Sequence, residues 1–108
     1  MTVKPKGGAA PGTQELQPYR NQLDQINTDI VNLLAKRMGI CRDTARIKSA
    51  NGLPMMQPQR VASTLNQVTA LSQQRLLRPE YLKCLFEVII KETCDEETRI
   101  MKNEHSDN

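Results

Sequence analysis

Cations occupy helix positions in this 108-residue sequence that ought to be apolar. Arg37 lies seven residues after Ile30 and four after Leu33, in step with both. Lys48 follows eleven residues later, and at 3.6 residues per turn the two cations lie only about 20° apart around a helix. Thr93 stands seven residues after Phe86, and Glu97 seven after Ile90, so both continue an apolar stripe. Arg60 sits in the first turn of another helical pattern. Singly, each has an ordinary structural role. A helical Lys or Arg commonly runs its stem over apolar surface and keeps its head in water. A helical Thr satisfies its hydroxyl locally, and Glu97 lies near a chain end. Together, three cations with Thr93 and Glu97 on inward faces describe a pocket for a small polyanion, because buried charges need partners. Arginine suits carboxylates in particular, through paired hydrogen bonds.

Other chemistry is excluded by what is missing. The single histidine, His105, stands in a polar tail, so a histidine triad or a multi-histidine zinc site is not expected. Cys41, Cys84 and Cys94 are odd in number and widely spaced, with no CxxC, which argues against disulfides and metal ribbons. Cys41 and Cys84 read as small buried apolar residues in a reducing compartment. A net charge of +3 is too small to call for nucleic acid. No apolar run reaches the ~18 residues of a membrane span, and no signal-peptide core is seen, so a cytoplasmic location is expected. The pocket therefore holds no nucleophile, metal set or histidine base. It either only binds, or it catalyses a reaction that needs none of these. Unimolecular rearrangement of a dicarboxylate qualifies: the protein fixes the reactive conformer and stabilises charge that develops as a bond breaks.

Helices must position these groups. Residues 1–13, rich in Gly, Pro and Ala, read as a disordered arm, and residues 102–108 as a flexible polar tail. Between them, residues 14–101 form the expected helical domain. A first helix runs from about Gln14 to Ala50, with Pro18 in its first turn and Gly52 as its left-handed cap. Its stripe is Leu16, Tyr19, Leu23, Ile26, Ile30, Leu33 and Leu34, resuming at Met38, Cys41 and Ala45. Leu53 to Gln57 connect, and Met55-Met56 reads as core filler. A second helix spans about Pro58 to Gln73, with Val61, Leu65, Val68 and Leu71 or Ser72 inward. A third opens at Pro79, buries Leu82, Leu85, Phe86, Ile89 and Ile90, and runs to about Ile100. No strand pattern occurs, so the fold class is all-α. With 38% apolar residues and only Tyr19, Tyr81 and Phe86 as aromatics, the chain has little to build a core from. A first helix of ~45–55 Å exceeds the ~25–30 Å breadth of a compact chain this size, so it needs a partner. Arg20 lies about 100° around that helix from Arg37. It cannot join Arg37 within one chain, but in an antiparallel dimer it could reach a partner's site.

The spacing of Arg20, Arg37, Lys48, Arg60, Thr93 and Glu97 resembles the all-helical chorismate mutase family, over about residues 15–100. The segments RNQLDQINTDIVNLLAKR and LFEVIIKET are similar to that family's first and third helices. The resemblance implies an intertwined homodimer of three-helix chains with paired long helices. It also implies a Claisen rearrangement with no cofactor, no metal and no covalent intermediate. Arg20 from the partner, with Arg37 and Arg60, would hold the substrate's two carboxylates. Lys48 would contact one carboxylate and the ether oxygen, and Thr93 the ring carboxylate.

Two positions depart from the usual pattern. Glu97 stands where a glutamine commonly donates to the ether oxygen. A carboxylate only accepts, so Glu97 must be protonated to do this; burial favours that form and a nearby Lys48 opposes it. Val61 replaces a glutamate that binds the C4 hydroxyl of chorismate, which leaves Gln57 to build that end of the pocket. The stretch Pro54 to Val61, with Val88-Ile89-Ile90 and Glu92, Cys94 and Glu97, looks like the branch acting on 4-amino-4-deoxychorismate for antibiotic precursor supply. Alternatives are an ordinary chorismate mutase making prephenate, an isochorismate pyruvate-lyase, and a non-enzymatic helical module for dimerisation or weak nucleic-acid binding.

Overall fold

The computed structural model describes residues 12–106, which form three α-helices: α1 (Thr13–Ala50), α2 (Pro58–Gln74) and α3 (Pro79–Ser106). No strand occurs among the described residues, and the fold is all-α as expected. The expected N-terminal arm lies outside the described residues as far as residue 11, and Thr13 already belongs to α1. Pro18 lies inside α1, beyond its first turn. There it removes one backbone donor, which would otherwise pair with the carbonyl four residues back. α3 continues to Ser106 rather than stopping near Ile100, so the tail expected from residue 102 is helical over most of its length. Neither Gly nor Pro follows Pro79, and nothing local stops the helix. No helix among the described residues is long and apolar enough to cross a membrane.

The chain divides into two units, residues 1–36 and 37–108. In the first, the α1 stripe is exposed along its length, from Leu16 and Tyr19 through Leu23, Ile26 and Ile30 to Leu33. The second holds the end of α1 with α2 and α3, and α2 packs along α3. Its apolar interior is thin. Val61, Leu65 and Val68 of α2 and Leu82, Phe86, Ile89 and Ile90 of α3 are half-buried as expected, but Leu85 is exposed. Ser72, not Leu71, is the buried member of its pair. Ala45 is the one apolar residue among those described that is fully buried; Ser72, Thr93, Glu96 and Glu97 are the buried polar ones. Cys84 is exposed, contrary to the expectation of burial. It falls about 200° from Leu82 around α3, on the face opposite the stripe.

The two connectors use the same device. After α1, Leu53 N–H donates to Lys48 C=O at 2.8 Å and Gly52 N–H to Ser49 C=O at 3.4 Å, a Schellman motif with Gly52 at φ +65°. After α2, Leu77 N–H donates to Ser72 C=O at 2.9 Å and Leu76 N–H to Gln73 C=O at 3.5 Å. Here the left-handed residue is Leu76, at φ 60°. A side chain in that conformation costs roughly 1–2 kcal/mol, and Leu76, 94% exposed, recovers nothing by packing. Replacing Leu76 with Gly relieves the strain and adds some unfolded-state freedom. The net expected gain is about 0.5–1 kcal/mol, read as a higher urea midpoint with an unchanged slope. A lower midpoint would show that the side chain has a hidden role.

Candidate active site

The site lies wholly in the second unit. Sequence places its parts on helix turns that come together there. On α1, Arg37 and Lys48 share one face. The Schellman cap at Gly52 then reverses the chain so that Met55 C=O accepts from Lys48 Nζ at 2.9 Å. Pro58 opens α2, and Gln57 is its N-cap residue. Gln57 caps through backbone alone, its carbonyl accepting from Arg60 and Val61 N–H at 2.9 and 3.2 Å. Its side chain makes no cap hydrogen bond, so the amide is free for other use. On α3, Thr93 and Glu97 are one turn apart.

These elements enclose a cavity of about 390 Å³, within the range of small-molecule sites. Residues 37–48 of α1 contribute Arg37, Ile40, Cys41, Thr44 and Lys48. The connector supplies Met55, Met56 and Gln57; α2 supplies Arg60, Val61 and Thr64; α3 supplies Ile90, Thr93, Cys94 and Glu97. Of the residues expected from sequence, Arg37, Lys48, Gln57, Arg60, Val61, Thr93 and Glu97 all line it. Arg20 belongs to the first unit, where it is exposed.

Sequence reasoning missed several lining residues. Met55 and Met56 line the cavity instead of filling a core. Cys41, Thr44 and Thr64 stand one helical turn from Arg37, Lys48 and Arg60, and Ile90 and Cys94 flank Thr93 on α3. Extending each recognised residue by one turn along its own helix finds those on α1, α2 and α3, because residues three and four apart share a face.

The electrostatics suit a dianion. Three cations, Arg37, Lys48 and Arg60, face one carboxylate, Glu97, leaving two net positive charges on the walls. Lys48 Nζ donates to Glu97 Oε1 at 2.7 Å. The Glu97 side chain is 6% exposed and that of Lys48 18%, so the pair is largely withdrawn from water. Arg37 Nη1 donates to Thr93 Oγ1 at 2.8 Å and lies 3.8 Å from Cys41 Sγ. Behind the cavity, Arg42 Nε donates to Glu96 Oε2 at 2.6 Å, and Arg99 pairs with the other oxygen of Glu96. Burial, and next the Glu97 charge, push the Cys94 thiol above its ordinary range. Cys94 is thus a neutral thiol at physiological pH and a poor nucleophile. Among the described residues no group of histidine, cysteine and acidic side chains could hold a metal ion. What these walls can do is bind two carboxylates, hold one conformer, and meet negative charge as it develops beside Lys48.

An all-α chain enclosing a cationic cavity of this kind defines a class, and comparison with known proteins identifies the family. The chorismate mutase type II family matches residues 19–98. The chain is 33% identical over 90 residues to a 4-amino-4-deoxychorismate mutase of Streptomyces venezuelae, covering 83% of this chain and 87% of that one. A protein of the same name from Streptomyces pristinaespiralis is 30% identical, covering 83% of this chain and 70% of that one. A chorismate mutase of Methanocaldococcus jannaschii is 24% identical over 78 residues, covering 72% and 79%. The chain belongs to the chorismate mutase type II family. It is an isomerase that rearranges a small dicarboxylate, not a passive helical module.

The Lys48–Glu97 pair makes a stability prediction. Lys48→Met strands a buried carboxylate and is expected to cost about 3 kcal/mol, the scale of a broken buried pair. Adding Glu97→Gln to the same chain should recover a large part of that loss. Urea unfolding at fixed protein concentration checks both, and equal stability of the single and double variants would contradict the pairing.

Proposed function

We propose that the chain converts 4-amino-4-deoxychorismate to 4-amino-4-deoxyprephenate by an intramolecular Claisen rearrangement, as a homodimer in a reducing cytoplasm. In that reaction the ether C–O bond breaks while a C–C bond forms between the enolpyruvyl methylene carbon and the ring. Every atom is retained and no external group is consumed. Arg37 and Arg60, with Arg20 of a partner chain, hold the two carboxylates. The Lys48 ammonium has three donors. Two are engaged by Glu97 and Met55, and the third serves the ether oxygen and the carboxylate beside it, where negative charge grows in the transition state. Glu97 faces the same oxygen; its carboxylate, ion-paired with Lys48, becomes a donor there only on taking up a proton.

The observation that carries the choice of substrate is the make-up of the α2 wall. Val61 lines the cavity with no polar group, while the Gln57 amide beside it is not spent on capping. An amide oxygen accepts from a C4 amine. The two Streptomyces relatives bear the name of that activity, and such a product would feed p-aminophenylalanine for antibiotic assembly. Chorismate itself is the rival substrate, since the Gln57 amide can also donate to a hydroxyl, and the Methanocaldococcus jannaschii relative is a chorismate mutase. The dimer is supported by the exposed α1 stripe, whose Leu23, Ile26 and Ile30 would otherwise stand in water.

Steady-state kinetics on both substrates tests the reading. We expect a higher kcat/KM for the amino compound, and a preference for chorismate rules it out. Glu97→Gln places an amide donor at the same point and should retain kcat/KM, whereas Glu97→Ala, with no donor there, should lose most of it. Equal losses in the two variants would remove Glu97 as the donor. For the shared site, Arg20→Ala and Arg37→Ala chains are each expected to be nearly inactive. Mixing them should restore activity, because a heterodimer regains one intact site; a mixture as inactive as its parts would argue against a borrowed arginine.

A further inference from the structure

Three threonines line the cavity: Thr44 on α1, Thr64 on α2 and Thr93 on α3. Thr44 and Thr93 each donate to a carbonyl of their own helix, Cys41 C=O at 2.8 Å and Ile89 C=O at 2.9 Å. That is the ordinary way for a helical threonine to satisfy its hydroxyl, and Thr69 of α2 does the same with Leu65 C=O at 2.7 Å. Thr64 does not. It is half-buried, yet its hydroxyl makes no hydrogen bond among the described residues. A hydroxyl left over from the fold in a cavity wall is available to what the cavity holds. Its place is specific. Gln57, Val61 and Thr64 fall within about 60° around the α2 axis. The α2 wall thus sets an uncommitted amide and an uncommitted hydroxyl on either side of Val61.

We infer that Thr64 is a specificity-determining residue whose hydroxyl oxygen accepts a hydrogen bond from the C4 amine of the substrate. The inference rests on the functional reading above, in which Val61 faces the C4 group, and it names a second polar partner for that group. Counting donors supports it. A protonated amine carries three N–H donors and no lone pair, whereas the Gln57 amide oxygen is a single acceptor atom. Glu97, the one carboxylate among the lining residues, is paired with Lys48 at 2.7 Å. A further acceptor must therefore come from a neutral group, and Thr64 Oγ1 stands one turn from Val61 with its lone pairs unused. A hydroxyl at C4 has a single hydrogen to place and depends less on that oxygen.

Steady-state kinetics of the full-length protein tests the contact, with chorismate and its 4-amino analogue as substrates. Thr64→Val keeps the shape and removes the hydroxyl. It should lower kcat/KM for the amino compound about tenfold, the scale of a hydrogen bond to a charged group, and for chorismate about threefold or less, the scale of a neutral one. The C4 group takes no part in the bonds that break and form, so the loss should appear in KM with kcat little changed. Thr64→Ser should behave as the wild type. Equal losses on the two compounds would assign the hydroxyl to a part of the substrate that they share, and no loss on either would leave it without a role; both results overturn the inference. Urea unfolding separates out a structural role. The midpoint of Thr64→Val should equal or exceed that of the wild type, and a markedly lower one also overturns the inference. A wild type that prefers chorismate would overturn the choice of substrate, while the shift in preference from wild type to Thr64→Val still decides the contact. If neither compound is turned over, the functional reading fails, and calorimetric titration of both compounds into the two proteins then reads the same shift from Kd.

Discussion

Three charge-assisted hydrogen bonds hold the end of α1 to α3: Arg37 to Thr93, Arg42 to Glu96 and Lys48 to Glu97. They stand where a chain of this size would ordinarily place its best apolar packing. Taking these groups out of water is costly, and their mutual attraction repays that cost only when the geometry is good and the remaining donors and acceptors are met. The surrounding structure meets that demand. The Gly52 cap turns the connector so that Met55 C=O takes a second Lys48 donor, the helical carbonyl of Ile89 takes the Thr93 hydrogen, and Arg99 completes Glu96. The cavity is the part of this polar seam that is left incomplete. Its walls carry two net positive charges that nothing among the described residues neutralises and that a dianion would.

That arrangement explains why the interior is thin. A buried Glu97 with Lys48 and a buried Thr93 take positions on the stripes that Leu or Ile would fill in a helical bundle built only for stability. Near α1 the packing is left to Ala45, whose small side chain allows close approach. Strain at Leu76 adds to the expense. Proteins tolerate such losses at functional sites when other parts of the fold offset them. Here the available reserve is the exposed α1 stripe, whose burial against a second chain would contribute on the order of 25 cal/mol for each Å² covered.

Much of this is legible in the sequence, because helical periodicity is a strong signal when a charge interrupts it. Counting turns places Arg37, Lys48, Thr93 and Glu97 on inward faces, and the cavity gathers all four. Gly52 reads as a cap because a glycine just past a long apolar stripe is the residue that most readily turns left-handed there. Other features have no such signal. Leu76 carries no mark of its left-handed backbone, since a Schellman turn normally announces itself with Gly or Asn. Composition makes Cys84 look buried, whereas its phase on α3 turns it outward. Met55 and Met56 lie in a connector with no period to read. The apolar stripe of α3 fades before the helix does, and a polar segment without Gly or Pro extends a helix that is already nucleated.

The same physics separates what this fold can vary from what it cannot. Arg37, Lys48 and Glu97 are tied into the α1–α3 seam, so a change at any of them disturbs structure and chemistry together. The α2 wall is different. Val61 and Thr64 project from a helix whose N-terminus is capped through backbone alone, and the Gln57 side chain is bonded to nothing that holds the fold. Substitutions on that wall alter what the cavity recognises without stranding a buried charge. The charges of the α1–α3 seam are therefore constrained by the architecture, while the side of the cavity formed by Gln57, Val61 and Thr64 can change its polarity and shape at little cost to the fold.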